Sequence, residues 1–200
     1  MSQRPYKIAI VGGIGSGKSV VSRLLRLLGI PVYECDAEAK RLMNVNESLR
    51  LALTGAVGCE AYGSDGCLDR RYLANYMFGH ADRVALVNSI VHPVVRDDFR
   101  EWAQRMGDSV VAVETAILFE SGLDADVDAI LLVYAPEKLR VERAMRRDGA
   151  DEASVRRRME NQRKDEELMS LSTYTIYNDD TESVIAQVKS VLEDINEKRR

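Results

Sequence analysis

The chain has 200 residues, of which 46% are apolar and 30% are charged, and its formal net charge is −4. This length and balance predict one globular domain, and they exclude a disordered chain and a strongly basic nucleic-acid-binding protein. The sequence lacks the run of about 20 apolar residues that a transmembrane helix needs, and its first apolar run is too short for a signal peptide. We therefore expect a cytoplasmic protein, a monomer rather than an oligomer, with no membrane or nucleic-acid partner.

The first 35 residues predict two strands with a helix between them. Tyr6–Val11 is a short apolar run that ends in glycines, which is typical of a buried strand. Apolar residues then recur at helical spacing over residues 20–28, and Gly29 and Pro31 end this helix. A second strand is predicted over residues 31–35.

Residues 37–107 predict helices without a strong strand. Asp69 is a suitable N-cap for a helix that runs to about residue 78. Pro93 is suited to the first position of a helix that ends near Gly107. This helical block would be a lobe inserted at one edge of the sheet.

The second half of the chain returns to alternating strands and helices. Strands are predicted at residues 109–114, 129–135 and 173–177, with a helix between Pro136 and Gly149. A last helix has one apolar stripe from Val184 to Ile195. Strands separated by helices predict an α/β fold with a five-stranded parallel sheet that is covered on both faces.

The strongest motif is G-x-x-x-x-G-K-[ST] over residues 12–19, between the first strand and the first helix. Its glycines let several backbone N–H groups converge on one anion, and the start of a helix adds a partial positive charge. Lys18 can reach the β- and γ-phosphates of ATP, and the Ser19 hydroxyl can hold Mg²⁺. A glycine-rich turn with an incidental lysine is the simpler alternative. The residues expected at the nucleotide are Gly13, Ile14, Gly15, Ser16, Gly17, Lys18, Ser19 and Val20.

Two common classes of P-loop protein do not fit the rest of the sequence. A regulatory GTPase needs D-x-x-G and [NT]-K-x-D strings, and neither occurs. Many motor and transport ATPases have a strand that ends in Asp, whereas the strand near residue 110 ends in Glu114. A small kinase remains, and it needs an acceptor lobe, a carboxylate near the acceptor hydroxyl, and arginines at the transferred charge.

Candidates exist for the carboxylate and the arginines. Asp36 follows the second strand, at the edge where open α/β sheets bind ligands, but it could equally be the N-cap of a helix over residues 37–43. The arginine candidates include Arg140 and three residues that can share one face of the helix beginning near Pro136, Arg143, Arg146 and Arg147, and such a face suits a phosphate clamp.

The order of several segments resembles the dephospho-coenzyme A kinase family across nearly the whole chain. Besides the phosphate loop, the similar segments are E-C-D at residues 34–36, D-G-C-L-D-R-R at 65–71, N-S-I-V-H-P at 88–93, A-I-L-F-E at 116–120, R-A-M-R-R-D at 143–148, R-M-E-N-Q at 158–162 and I-Y-N at 176–178. The chain departs from the family pattern at Val20, Glu34, Ala116 and Asp180.

The resemblance implies ATP-dependent phosphorylation of the ribose 3′-hydroxyl of 3′-dephospho-coenzyme A, the last step of coenzyme A synthesis. It implies that Asp36 is the base, that Lys18 and Arg143 take part in catalysis, and that the cofactors are ATP and Mg²⁺. It also assigns His92, Leu118 and Glu120 to the acceptor, and Asn178 and Arg147 to the nucleotide.

The same resemblance implies a layout of the nucleoside-monophosphate-kinase type within one domain. The sheet core would comprise about residues 1–36, 108–135 and 170–200, the helical substrate lobe about 37–107, and a helical lid about 136–169. Two alternatives remain open at this point: a nucleoside monophosphate kinase, and an ATP-binding module without catalysis.

Overall fold

The computed structural model describes residues 4–199, and its centre is one sheet of five strands in the order β2-β3-β1-β4-β5. β1 pairs in parallel with β3 and β4, and β4 pairs in parallel with β5. Each strand is a short apolar run, as expected of strands that are buried on both faces. The α/β fold and its five-stranded sheet, predicted from the sequence, are thus confirmed. The strands are β1 (Tyr6–Val11), β2 (Val32–Glu34), β3 (Val110–Glu114), β4 (Ala129–Tyr134) and β5 (Tyr174–Tyr177).

Helices connect the strands and fill the long segment between β2 and β3. Two short 3-10 helices, Cys59–Ala61 and Leu123–Asp126, add to them. The α-helices are α1 (Lys18–Leu27), α2 (Cys35–Val45), α3 (Glu47–Val57), α4 (Arg70–Met77), α5 (Ala81–Gln104), α6 (Glu137–Asp148), α7 (Glu152–Glu160), α8 (Asp165–Leu171) and α9 (Val184–Lys198). Between residues 4 and 199, no helix combines the length and the apolar character needed to cross a membrane.

The chain folds into two units, each with its own core. The first, which we call the sheet unit, comprises residues 4–33 and 106–199. Its core includes one face of the sheet, where Ile8, Ile10 and Ile176 are fully buried and pack with residues of α1 and α9. The second, the helical unit, is Glu34–Arg105, and in it α5 packs against α2, α3 and α4.

Several helix ends follow the expected chemistry. The Asp69 carboxylate accepts hydrogen bonds from the backbone N–H groups of Arg71 (2.9 Å) and Tyr72 (3.0 Å), so the predicted cap of α4 is confirmed. Gly149 ends α6 in the left-handed conformation, with φ of 62°. α6 begins at Glu137, directly after Pro136.

One local prediction was wrong, and one alternative that the sequence left open is excluded. Pro93 lies inside α5 rather than at its first position, and α5 begins twelve residues earlier, at Ala81. A proline removes one helical hydrogen bond, but a buried stripe of Val87, Val91 and Val95 continues across it and holds the helix together. Asp36 is not an N-cap, because α2 already begins at Cys35 and Glu34 occupies the cap position.

Substitution by alanine should change the free energy of unfolding in opposite directions at Gly149 and at Gly55. Gly149→Ala places a side chain at positive φ and should lower the free energy of unfolding by about 1 kcal/mol. Gly55 lies exposed inside α3 with open space where a Cβ would be, so Gly55→Ala should raise that free energy by up to about 1 kcal/mol. Urea unfolding followed by circular dichroism measures both, and equal midpoints for the two variants would contradict the assignment.

Candidate active site

The segment between β1 and α1 is a loop whose glycines cannot be replaced without distortion. Gly15 and Gly17 have φ of 76° and 101°, a region that favours glycine. A Cβ on Gly15 would lie 2.2 Å from the carbonyl oxygen of Arg140, and one on Gly17 would lie 2.2 Å from Nδ2 of Asn178. The loop is therefore shaped by close contacts with two later segments of the sheet unit. We call residues 12–17 the phosphate loop, because such a loop before a helix binds anions through its backbone N–H groups.

Three side chains give this loop its polar character. Lys18 begins α1, and its Nζ donates to the carbonyl oxygens of Gly12 (2.6 Å) and Gly13 (3.4 Å). Ser16 is buried, and its Oγ has no hydrogen-bond partner among the described residues. Ser19 is exposed in the first turn of α1. An ammonium, two hydroxyls and the start of a helix thus lie at one place, as a polyphosphate site requires.

Asn178 joins three elements beside the phosphate loop. Its Nδ2 donates to the Ser16 carbonyl oxygen (2.7 Å), and its backbone N–H donates to the carbonyl oxygen of Tyr134 at the end of β4 (2.8 Å). Its own carbonyl oxygen accepts from Nη1 of Arg143 (2.9 Å). The residue following β5 therefore fixes the end of the loop, the end of β4 and the arginine of α6 relative to one another.

The two arginines expected from spacing lie in different environments. Arg143 is held by Asn178 and forms a second contact, of 3.4 Å, with the Asp180 carboxylate. Arg147 is mostly exposed and binds the carboxylate of the adjacent Asp148 at 2.7 and 3.1 Å. Arg147 and Arg158 together lower the pKa of Asp148. The structure thus places Arg143 beside the phosphate loop and Arg147 in an exposed ion-pair cluster.

Two further side chains contact the phosphate loop, and motif spacing did not assign them a role. Gln162 lies between α7 and α8, and its Oε1 accepts from the backbone N–H of Ile14 (2.8 Å). Arg140 of α6 is buried, and its Nη2 donates to Asp165 at 2.8 Å. Burial raises the pKa of Asp165, whereas Arg140 acts in the opposite direction. The sequence signal that could have identified Arg140 is its position on the apolar face of α6, beside Val141 and Ala144, which are buried.

The turn after β3 brings the predicted acceptor residues of the sheet unit close to the same loop. Leu118 is buried and lines a small cavity together with Gly12, Gly13 and Gln162. Glu120 accepts from Nε of Arg163 at 2.8 Å. The Arg163 guanidinium also lies over the ring of Phe119, at 4.8 Å from the ring centroid. Leu118 and Glu120 therefore belong to one cluster with the segment that carries Gln162.

The other two predicted acceptor residues belong to the helical unit. Asp36 is exposed in the first turn of α2, directly after β2 ends. Its carboxylate is one of two in that turn, since Glu38 follows and binds Arg41. His92 is half-buried near the middle of α5.

Comparison with known proteins confirms the resemblance of the sequence. The profile of the dephospho-CoA kinase family matches residues 6–183. The dephospho-CoA kinase of Porphyromonas gingivalis is 42% identical over 193 residues, which cover 96% of this chain and 95% of the relative. That of Bacteroides fragilis is 42% identical over 187 residues, which cover 93% of this chain and 91% of the relative.

Solved structures share the fold. A Thermus thermophilus protein has a TM-score of 0.79 at 35% identity, over 96% of this chain and 98% of that one. Dephospho-CoA kinase from Campylobacter jejuni (TM-score 0.72, 20% identity, 97% and 98% covered) and shikimate kinase from Acinetobacter baumannii (TM-score 0.55, 17% identity, 98% and 96% covered) share only the P-loop kinase fold. The family profile begins with β1 and continues through the phosphate loop and Asn178 to the residue before α9, and this chain belongs to the dephospho-CoA kinase family.

Proposed function

We propose that the protein transfers the γ-phosphoryl group of ATP to the ribose 3′-hydroxyl of 3′-dephospho-coenzyme A, giving ADP and coenzyme A. The observation that carries this proposal is the phosphate loop, because it presents backbone N–H groups and Lys18 at the start of α1 within a chain of this family. This reaction is the last step of coenzyme A biosynthesis. A cytoplasmic location and a monomeric state stay predictions.

The nucleotide-binding part of the active site is better defined than the acceptor-binding part. The loop residues from Gly13 to Ser19 bind the polyphosphate, and Val20 follows in the first turn of α1. Lys18 exchanges the loop carbonyls for the β- and γ-phosphate oxygens, which carry the negative charge that carbonyls lack. Asn178 borders the nucleotide from the end of β5, and its contacts with Ser16 and Arg143 hold both residues in place.

The residues around Ser19 fit Mg²⁺ that arrives with the nucleotide. The described residues contain no cluster of three or more His, Cys, Asp or Glu side chains that could hold a metal ion. Mg²⁺ in kinases has few protein ligands and is otherwise held by phosphates and water, and in P-loop proteins one ligand is the hydroxyl that follows the loop lysine, here the exposed Ser19. Ser19 would hold the ion, which would supply neutralisation of the negative charge of the nucleotide phosphates.

On the acceptor side, Asp36 accepts the proton of the ribose 3′-hydroxyl. Its exposure in the first turn of α2, rather than at the cap, leaves the carboxylate oxygens available for substrate. The other residues proposed to bind the acceptor are Leu118 and Glu120, in the turn after β3, and His92, in α5. Arg143 of α6, which Asn178 holds beside the loop, neutralises charge on the transferred group. Arg147 joins it only by leaving its ion pair with Asp148.

The two alternatives predict different substrates. A nucleoside monophosphate kinase would phosphorylate AMP, CMP or UMP, and an ATP-binding module would release no ADP with any acceptor. Membership of the dephospho-CoA kinase family favours the first proposal over both. An assay of ADP release with dephospho-coenzyme A, AMP, CMP and UMP separates the three, and turnover of a nucleoside monophosphate alone would overturn the proposal.

Lys18→Ala should abolish most activity without unfolding the protein. Lys18 lies at the loop and outside the hydrophobic core, so its loss removes phosphate contacts and leaves packing intact. We expect kcat/KM to fall at least about 100-fold. Lys189→Ala, an exposed lysine on α9, is the matched control and should match the parent. A Lys18→Ala enzyme within about tenfold of the parent, or about 1.4 kcal/mol in barrier, would remove Lys18 from the mechanism.

Asp36→Asn should lower kcat by at least about 100-fold, because an amide cannot accept the proton of the 3′-hydroxyl. The melting temperature should change little, since Asp36 does not cap α2. Glu38→Gln is the control: it removes a second negative charge from the same helical turn without removing the proposed base. Equal kcat values for the two variants would mean that Asp36 affects kcat only through its negative charge in the first turn of α2.

Arg143→Ala should lower kcat more than it raises KM for either substrate, because the proposed contact forms with charge that develops in the transition state. Steady-state kinetics with each substrate varied in turn measure the split. A raised KM for ATP with an unchanged kcat would instead show that Arg143 only holds Asn178 in place.

A further inference from the structure

Arg140 is a buried charge that the proposed reaction does not yet use. The residue is 7% exposed, in α6, a helix that carries five arginine or lysine residues in all. Its Nη2 donates to Asp165 at 2.8 Å, whereas its Nε is buried and has no partner among the described residues. Burial of a guanidinium is unfavourable unless its donors are satisfied. The contact with Asp165 therefore leaves at least one donor of the guanidinium unsatisfied.

The guanidinium of Arg140 lies directly on the phosphate loop. Its Nη1 is only 1.8 Å from the point where a Cβ on Gly13 would lie, so Gly13 is the residue that makes room for it. Arg140 also lines a cleft of about 520 Å³, whose other charged side chains are both basic (Arg156, Arg163 and Lys164) and acidic (Glu137, Glu160, Asp165 and Glu166). The side chain therefore lies between Gly13 of the phosphate loop and an open cleft.

We propose that Arg140 is a further catalytic residue, which binds oxygens of the phosphoryl group in transfer, and that Asp165 positions it. This role rests on the proposed function. In the reaction, the bond from the γ-phosphorus to the β–γ bridging oxygen breaks, and the ribose 3′-oxygen forms the new bond to phosphorus. The hydroxyl proton passes to Asp36, ADP leaves, and Arg140 remains protonated throughout.

The chemistry of the side chain supports this assignment. A guanidinium offers several N–H donors in one plane, and it matches two oxygens of a phosphoryl group at once. Nε is without a partner and Nη1 borders Gly13, so donors remain after the contact with Asp165. Removal of a donor of this kind typically costs about 100- to 1000-fold in kcat.

The test compares Arg140→Ala, Arg140→Lys and Asp165→Asn with the parent. Arg157→Ala, an exposed arginine on α7, is the matched control. kcat is measured with ATP and dephospho-coenzyme A, and calorimetry gives the affinity for ADP with and without aluminium fluoride, with Mg²⁺ and dephospho-coenzyme A present. ADP with aluminium fluoride imitates the phosphoryl group in transfer, whereas ADP alone reports the ground state.

We expect Arg140→Ala to lower kcat at least about 100-fold. Its affinity for ADP alone should stay at the parental value, whereas most of the increase in ADP affinity that aluminium fluoride causes in the parent should be lost. Arg140→Lys keeps the charge and should still lose at least about tenfold in kcat, because an ammonium lacks the planar fork. Asp165→Asn should cost less than Arg140→Ala in both measurements.

Three results would overturn the role of Arg140. They are a normal kcat in Arg140→Ala, equal losses in Arg140→Ala and Asp165→Asn, and an unchanged tightening by aluminium fluoride. If Arg140→Ala does not fold, Arg140→Lys decides: a folded lysine variant with parental kcat rejects the proposal. Absence of coenzyme A formation by the parent and by Arg157→Ala would instead reject the proposed function, so the two failures are distinguishable.

Discussion

The structure depends on how closely other groups approach the backbone of the phosphate loop. A Cβ would lie within 2.4 Å of another atom at each of Gly12, Gly13, Gly15 and Gly17, and these atoms belong to Val133, Arg140 and Asn178. The loop is therefore enclosed by β4, by α6 and by the residue after β5. Because side chains are absent, backbone N–H groups and later polar side chains meet at one place, which an anion can then bind.

The segment from α6 to α8 is held to this loop by polar contacts and by one small apolar cluster. The buried residues of this cluster are Val141, Ala144 and Val155, and Ile14 of the loop packs against them, whereas the sheet has a large apolar core. The contacts of Gln162 with Ile14 and of Arg140 with Asp165 join the segment to the loop or to itself. Segments with few buried apolar contacts open at lower free energy than the core, as a site that must exchange substrate and product requires.

The candidate acceptor residues are held in place by two separate hydrophobic cores. Asp36 and His92 belong to the helical unit, whose core is formed by its own helices, with residues such as Leu53 and Phe99 completely buried. Leu118 and Glu120 belong to the sheet unit and are fixed by the turn after β3. The candidate acceptor residues thus come from two cores, whereas every residue assigned to the nucleotide comes from one.

The sequence by itself determined the features that depend on neighbours along the chain. Apolar runs defined the strands, the motif from Gly12 to Ser19 defined the loop, and Asp69 and Gly149 defined helix ends, because each acts through groups a few residues away. Only the tertiary structure decided that α5 continues through Pro93, that α2 begins at Cys35 and so before Asp36, and that Arg140 is buried. Burial and long-range contacts join residues more than 100 positions apart, such as Asn178 with Ser16 and Gln162 with Ile14. The spacing of residues along the sequence does not reveal such pairs, because they form only when the sheet brings its strand ends together.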